Sequence, residues 1–207
     1  SKKDTCIFIE IDSQTSKKGI DALTQELHSV VNEVSLEVQD WQGMTNTLQD
    51  VIKNNAKFNW PVSAEDKKQT KAYLEWLGDH NFTMMGYRYY DVKAIEGDHR
   101  WIPQNDTSLG LLKNSVNDRE RLLSRLPASA RAEALSKNPL ILTKTNSRAR
   151  VHRPAYMDYV GVTVFNKAGQ AVGEHRFLGM YSASFYINRV TRLPLFSEKL
   201  KIIFEVV

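Results

Sequence analysis

Two apolar runs, residues 156–165 (YMDYVGVTVF) and 172–181 (VGEHRFLGMY), stand on either side of the link NKAGQA. No other feature restricts the fold of this chain as strongly. Both runs carry the β-branched and aromatic side chains that fit a pleated surface. Gly169, inside the link, supplies the positive φ that a tight reversal needs. The runs are therefore expected to pair antiparallel. A lone hairpin is marginal in water, so further strands have to join it.

Candidates for those strands lie upstream. Residues 82–92 (FTMMGYRYYDV) are rich in aromatics, and Gly86 in their midst signals a bulge or a close backbone approach. Tyr87, Tyr89 and Tyr90 on such a strand are more often core packing than the wall of a ligand pocket. Residues 100–102 read as a return strand, 109–112 as a short apolar run, and 140–143 as another strand. The run CIFIEI at residues 6–11 is strand-like with almost no sequence before it, and its backbone groups would need partners from elsewhere.

Helical periodicity is clearest over residues 19–54. Ile20, Leu23, Leu27, Val30, Val34, Val38, Trp41, Leu48 and Ile52 follow one another mainly at steps of three and four, which marks a narrow apolar stripe. Gly43 is a candidate interruption, since glycine costs about 1 kcal/mol relative to alanine within a helix. The narrow stripe suits one partner helix, with Trp41 as anchor. This element therefore reads as a connector or interaction seam rather than a core helix. FNWPVS at 58–63 breaks the pattern, and Ser63 with Asp66 forms a capping-box-like start for a second helix near Ala64. That helix is expected to bury Tyr73, Leu74, Trp76 and Leu77. Shorter helices are expected within 117–126, over 128–136 and after Pro194.

The fold class expected is α+β: a mostly antiparallel sheet with flanking helices, preceded by a long helical connector. The organisation read from the chain is an end of one domain at 1–15, a helical connector at 16–62 and an α/β domain at 63–207.

Composition narrows the function. With a net charge of +4 spread over alternating acids and bases, nucleic-acid binding has little electrostatic support. A single cysteine excludes an internal disulfide. The absence of a signal peptide and of an 18-residue apolar run points away from a membrane and towards the reducing cytoplasm. No Gly-x-Gly-x-x-Gly or P-loop pattern is present to cradle a cofactor phosphate. The five histidines lack metal-ligand spacing, so no metal site is expected. Ser147 near His152 lacks an orienting third group, so no catalytic residue is assigned.

One stretch carries chemistry. Residues 140–159 (LILTKTNSRARVHRPAYMDY) hold Lys144, Arg148, Arg150, His152 and Arg153 with one acid, Asp158. Guanidinium forks in an extended segment suit a phosphate or carboxylate, or an acidic docking partner. A charged strand face is more often solvated or edge-protecting. Between the two functional uses, docking is favoured over a metabolite site.

The same block, LTKTNSRARVHRPAYMDYVGV followed by GEHRFLGM, resembles the amino-terminal regulatory part of the large bacterial NAD-specific glutamate dehydrogenases. The resemblance continues upstream in LEWLGDHNFTMMGYRYYDV and LGLL, covering 73–207 well and the first 60 residues more loosely. It implies a non-catalytic regulatory or assembly fragment with ACT-like and PAS-like domains, within an enzyme that deaminates L-glutamate to 2-oxoglutarate and ammonium with NAD. It also implies that NAD binds elsewhere in the parent enzyme and that no cofactor binds this fragment. The partners implied are other domains and subunits of the parent, with room for a small-molecule effector. A stand-alone ligand-sensing or scaffold module without enzyme activity is the alternative.

Overall fold

The computed structural model describes residues 16–95, 98–113, 137–150 and 154–181, together with 8, 10–14 and 152. Two helices, α1 (Lys17–Asn54) and α2 (Ala64–Trp76), lead into five strands. These are β1 (Phe82–Ile95), β2 (Asp98–Gly110), β3 (Leu140–Arg148), β4 (Tyr156–Phe165) and β5 (Ala171–Tyr181). They form one sheet in the order β2-β1-β5-β4-β3, every neighbouring pair antiparallel. The architecture is α+β.

The β4–β5 hairpin forms as its sequence dictates. Gly169 has φ 75°, and the Asn166 carboxamide oxygen accepts from the Ala168 and Gln170 amides at 2.9 and 3.0 Å. An asparagine that bonds the backbone just ahead of it fixes a reversal locally. Gly86 is a point of both bulge and close approach. The β1–β5 register shifts between Met84 and Gly86, and a methyl group at position 86 would lie 3.0 Å from Leu112 Cγ. Gly110 at the end of β2 has φ 58°, and a Cβ there would meet the Met85 carbonyl oxygen at 2.3 Å.

Helix α1 starts at a serine cap, with Ser16 Oγ accepting from the Gly19 amide at 3.1 Å. It runs unbroken through Gly43 for 38 residues. The reason is one of magnitude. Met44, Leu48 and Val51 just beyond Gly43 are buried, and each such side chain contributes about 1.5–3 kcal/mol, more than the ~1 kcal/mol that a helical glycine costs.

The expectation that α1 is not a core helix needs correction for its C-terminal half. The C-terminal half of α1 is a core helix: Met44, Leu48, Val51 and Ile52 pack with Tyr73, Leu74 and Leu77 onto Phe82, Tyr87, Val160 and Phe177 of the sheet. Trp41 is 52% exposed and belongs to none of the buried clusters among the described residues. Periodicity gives the stripe; which surface covers it depends on where the sheet lies. Trp60 and Asn59 tie the segment after α1 to β4, donating to the Thr163 and Phe165 carbonyls at 2.9 and 3.0 Å. Helix α2 starts at Ser63, whose Oγ accepts from the Asp66 amide at 3.1 Å. It buries Tyr73 and Leu74, with Leu77 just beyond it, while Trp76 is only partly buried.

The other face of the sheet is also buried, around Met85, Leu112, Met157, Leu178 and Met180 and around Tyr90, Val92, Trp101 and Ile141. Cys6 and the helices expected within 117–126, over 128–136 and after Pro194 lie outside the described residues. Phe8, Glu10 and Ile11 of CIFIEI are described and belong to no strand. Among the described residues no helix is long and apolar enough to cross a membrane.

Candidate functional site

Helix geometry sets the first component of the site. Ser29, Glu33, Glu37 and Asp40 are spaced four, four and three apart, so they share one ridge of α1. This ridge crosses the end of the sheet where the turn after β3 and the end of β2 lie. Strand β3 ends at Arg148, and the turn closes with the Ala149 amide donating to the Ala155 carbonyl at 2.8 Å.

Arg150 and His152 then reach the helix. Arg150 Nη1 donates to Ser29 Oγ at 3.1 Å and lies 3.2 Å from Glu33 Oε1. His152 Nε2 lies 3.1 Å from Glu37 Oε2. His152 adopts φ 65°, a left-handed conformation uncommon for a residue with a Cβ. At the other end of the ridge, Asp40 accepts from the Gly110 amide at 2.7 Å and pairs with Lys113 at 2.7 Å.

The electrostatics of the ridge are uneven. Burial pushes the Glu37 carboxyl above the usual carboxylate range, against the lowering effect of His152. Its Oε1 is buried with no hydrogen-bond partner among the described residues. For Asp40, burial pushes upward, but the hydrogen bonds from Lys113 and Gly110 outweigh it and the carboxyl sits below its ordinary value. Arg150 and His152 are each about half exposed, a setting in which an ion pair is worth about 0–1 kcal/mol.

Of the five positions singled out in sequence, Arg150 and His152 come together on one helix ridge. Arg148 turns elsewhere and lies 4.9 Å over the Tyr156 ring. The backbone of Lys144 pairs with Asp158 across β3 and β4. The side chains of Lys144 and Ser147, and Arg153 altogether, lie outside the described residues. The strand-like alternation expected over 148 to 153 stops at Arg148, where β3 ends, and Ala149, Arg150 and His152 belong to no strand.

A second polar group, on the sheet face turned away from the C-terminal half of α1, was not singled out in sequence. Glu174 and Arg176 of β5 are two apart and so share a face. Arg176 Nε donates to Glu174 Oε1 at 2.7 Å, and Trp101 Nε1 donates to Glu174 Oε2 at 2.5 Å. The Arg176 guanidinium lies 4.3 Å over the Tyr90 ring and 5.5 Å from the Tyr159 centroid. Burial works against its charge, but Glu174 more than offsets this and holds it protonated. Arg88 is 2% exposed; its Nε donates to Ser108 Oγ at 2.7 Å and its Nη2 to the Leu112 carbonyl. The sequence signal available was two opposite charges at i and i+2 inside an apolar strand.

The opposite face holds His175 among Phe58, Tyr87 and Tyr89. Burial pushes its pKa down to about 4, so near neutrality the ring is uncharged. The Tyr87 hydroxyl and His175 Nδ1 are 2.9 Å apart, and burial raises the phenol above its ordinary value. The tyrosines of β1 are core residues: Tyr87 and Tyr90 are buried in clusters on opposite faces of the sheet, and the partly buried Tyr89 packs against the cluster of Tyr87. Among the described residues no three His, Cys, Asp or Glu side chains gather as a metal site would require.

Comparison with known proteins adds the remaining findings. Over 206 residues, 99% of its length, the chain is 27% identical to the NAD-specific glutamate dehydrogenase of Halomonas elongata. Over 202 residues it is 29% identical to the protein of that name from Pseudomonas aeruginosa, and over 198 residues 22% identical to that of Mycobacterium tuberculosis. No family model matches the chain. The similarity thus runs nearly the whole length of this chain while spanning 13%, 12% and 11% of the three relatives.

Proposed function

We propose that the chain is a non-catalytic regulatory or assembly segment of an NAD-dependent glutamate dehydrogenase that works in the cytoplasm as an oligomer. The parent reaction is oxidative deamination of L-glutamate to 2-oxoglutarate and ammonium, with NAD reduced at a site outside these residues. The observation that carries this reading is the similarity along almost all of the chain to only 11–13% of much longer enzymes of that name. Two features support it. The sequence has no glycine-rich phosphate loop, and the paired cations Arg150 and His152 meet carboxylates of the same chain.

The domain is of the PAS-like rather than the ACT-like kind. Five antiparallel strands in the order β2-β1-β5-β4-β3 support that choice. The cationic set Lys144, Arg148, Arg150, His152 and Arg153 serves docking. Arg150 and His152 of this set reach α1, and an anion at Arg150 would compete with Glu33 at 3.2 Å, which supports docking over capture of a metabolite. The partners are the other domains and subunits of the parent enzyme, and a small-molecule effector is accommodated if the domain senses one.

The test is made in the longer protein encoded by the same reading frame. With residues 64–181 deleted, NADH production from glutamate is expected to persist while oligomeric state or effector response changes. An encoded protein without glutamate-dependent NAD reduction would overturn the enzyme reading in favour of a stand-alone sensing or scaffold module. NADH formation by the 207-residue chain alone would overturn the non-catalytic one.

A further inference from the structure

We propose that Glu37 and His152 form a proton-operated latch, which seats the N-terminal half of α1 on the domain while the pair holds a proton and releases that half as pH rises. The helix is held unevenly along its length. Beyond Gly43, the apolar side chains of Met44, Leu48, Val51 and Ile52 fix α1 in the core. Ahead of Gly43 the helix has a single buried residue, and it is Glu37. Val30 is partly buried against the cluster of Met85, Leu112 and Met157, and further ties run from Ser29, Glu33 and Asp40 through polar contacts. The one side chain that this half buries is thus a titratable one.

The charges around Glu37 decide what its burial costs. Glu33 and Asp40 stand about one turn away on α1, His152 and Arg150 on the turn after β3, and Lys113 just past β2. Arg150 is taken by Glu33 and Lys113 by Asp40, so among the described residues His152 is left to answer the Glu37 charge, at 3.1 Å. That contact engages Oε2. Oε1 is buried with no hydrogen-bond partner among the described residues, and a carboxylate oxygen that has given up water without gaining a donor disfavours the charged form. While the pair holds one proton, imidazole and carboxyl share it across their contact. Once that proton leaves, a buried carboxylate remains beside a neutral ring.

Burial accordingly raises the Glu37 carboxyl above its ordinary range, with His152 opposing the rise and Glu33 adding to it. The direction of the response follows. With the helix unseated into water the carboxyl loses its proton at the ordinary value, whereas the seated one keeps it to higher pH. Seating is therefore complete below the ordinary value and weakens as pH climbs through the raised one. Gly43 marks the limit of the movement, since a glycine is a weak point in a helix and the core begins at Met44. Release frees Arg150 and His152 from α1. The latch operates whichever function those cations serve, and its test measures no activity.

Hydrogen exchange of the whole protein encoded by the reading frame tests this, at about pH 5, 6.5 and 8. It is read by mass spectrometry in peptides within residues 25–40 and 44–54 and corrected for the intrinsic exchange rate at each pH. Protection in 25–40 is expected to fall towards the alkaline end, by up to about tenfold per pH unit, while protection in 44–54 holds. Glu37→Gln, which cannot titrate, is expected to keep its acid-side protection across the range. Glu33→Gln loosens Arg150 but leaves the pair, and is expected to retain the fall. Wild-type protection in 25–40 that stays flat across the range would overturn the proposal, and that measurement needs no variant to fold. So would a fall of equal size in Glu37→Gln. A fall shared equally by 44–54 would overturn it as well, because the response would then belong to the whole domain and not to the latch.

Discussion

Glu37 Oε2 lies 3.1 Å from His152 Nε2 across 115 residues of chain, with the carboxylate buried and the imidazole half exposed. Burial raises the Glu37 carboxyl pKa, so the fold favours its protonated form. A carboxyl raised in this way opposes folding as pH climbs through its folded value and ceases to do so below its unfolded one. Glu37→Gln keeps hydrogen-bonding capacity without the charge. It is expected to be neutral near about pH 4 and to gain stability relative to wild type towards about pH 8. Urea midpoints at the two values check this, and a benefit that shrinks with rising pH would contradict the assignment.

Arg150 is the outer member of the same ridge. Its pair with Glu33 is partly solvated, so Arg150→Glu, which also sets like charges together, is expected to lower stability by about 1 kcal/mol or less. The effect belongs at residues 29–40. Hydrogen exchange there is expected to quicken, while exchange in β4 and β5 stays as it was.

Two glycines at positive φ separate conformational from steric need. Gly110→Ala combines φ 58° with a Cβ 2.3 Å from the Met85 carbonyl oxygen, and is expected to cost about 3 kcal/mol or more. Gly169→Ala has φ 75° and its nearest neighbour at 3.7 Å, so only the backbone preference is lost, about 1 kcal/mol. Denaturant midpoints that ranked the two in the opposite order would refute the close packing of β2 against β1.

In the Glu174 and Arg176 pair the carboxylate is buried and the guanidinium nearly so, at 1% and 12% exposed. Removing one charge and leaving the other is expected to destabilise by about 3–5 kcal/mol, whereas replacing both with apolar residues of similar volume is expected to recover much of that loss. Arg176→Met, Glu174→Leu and the double variant form the cycle to measure. Additive losses would show that the two side chains act independently.

His175 supplies an acid limit. The unfolded chain takes up a proton near the ordinary histidine value of 6.5, and the folded chain resists until about 4. Stability from this group is therefore complete above about pH 6.5 and falls as pH drops through that window, by up to about 3 kcal/mol. His175→Gln, which cannot titrate, is expected to flatten the stability profile between those limits. An unchanged slope would assign the acid sensitivity elsewhere.

Much of this architecture could be read locally. The strands at 156–165 and 172–181, the turn at Gly169, the bulge at Gly86 and the Ser63 cap each depend on residues close in sequence, because turn chemistry and side-chain alternation act over a few residues. The periodicity of α1 was equally legible. Its division was not: the stripe is core beyond Met44, while Ile20, Val34, Val38 and Trp41 are exposed and Val30 packs against the other face of the sheet, and only the position of the sheet separates them. The cationic stretch was visible as charge, but where it points follows from β3 ending at Arg148 and from α1 crossing that end of the sheet. Glu174, Arg176 and Trp101 escaped notice because their meeting depends on strand pairing between segments far apart in the chain. Pairing of that kind is settled by tertiary packing, which no local pattern encodes.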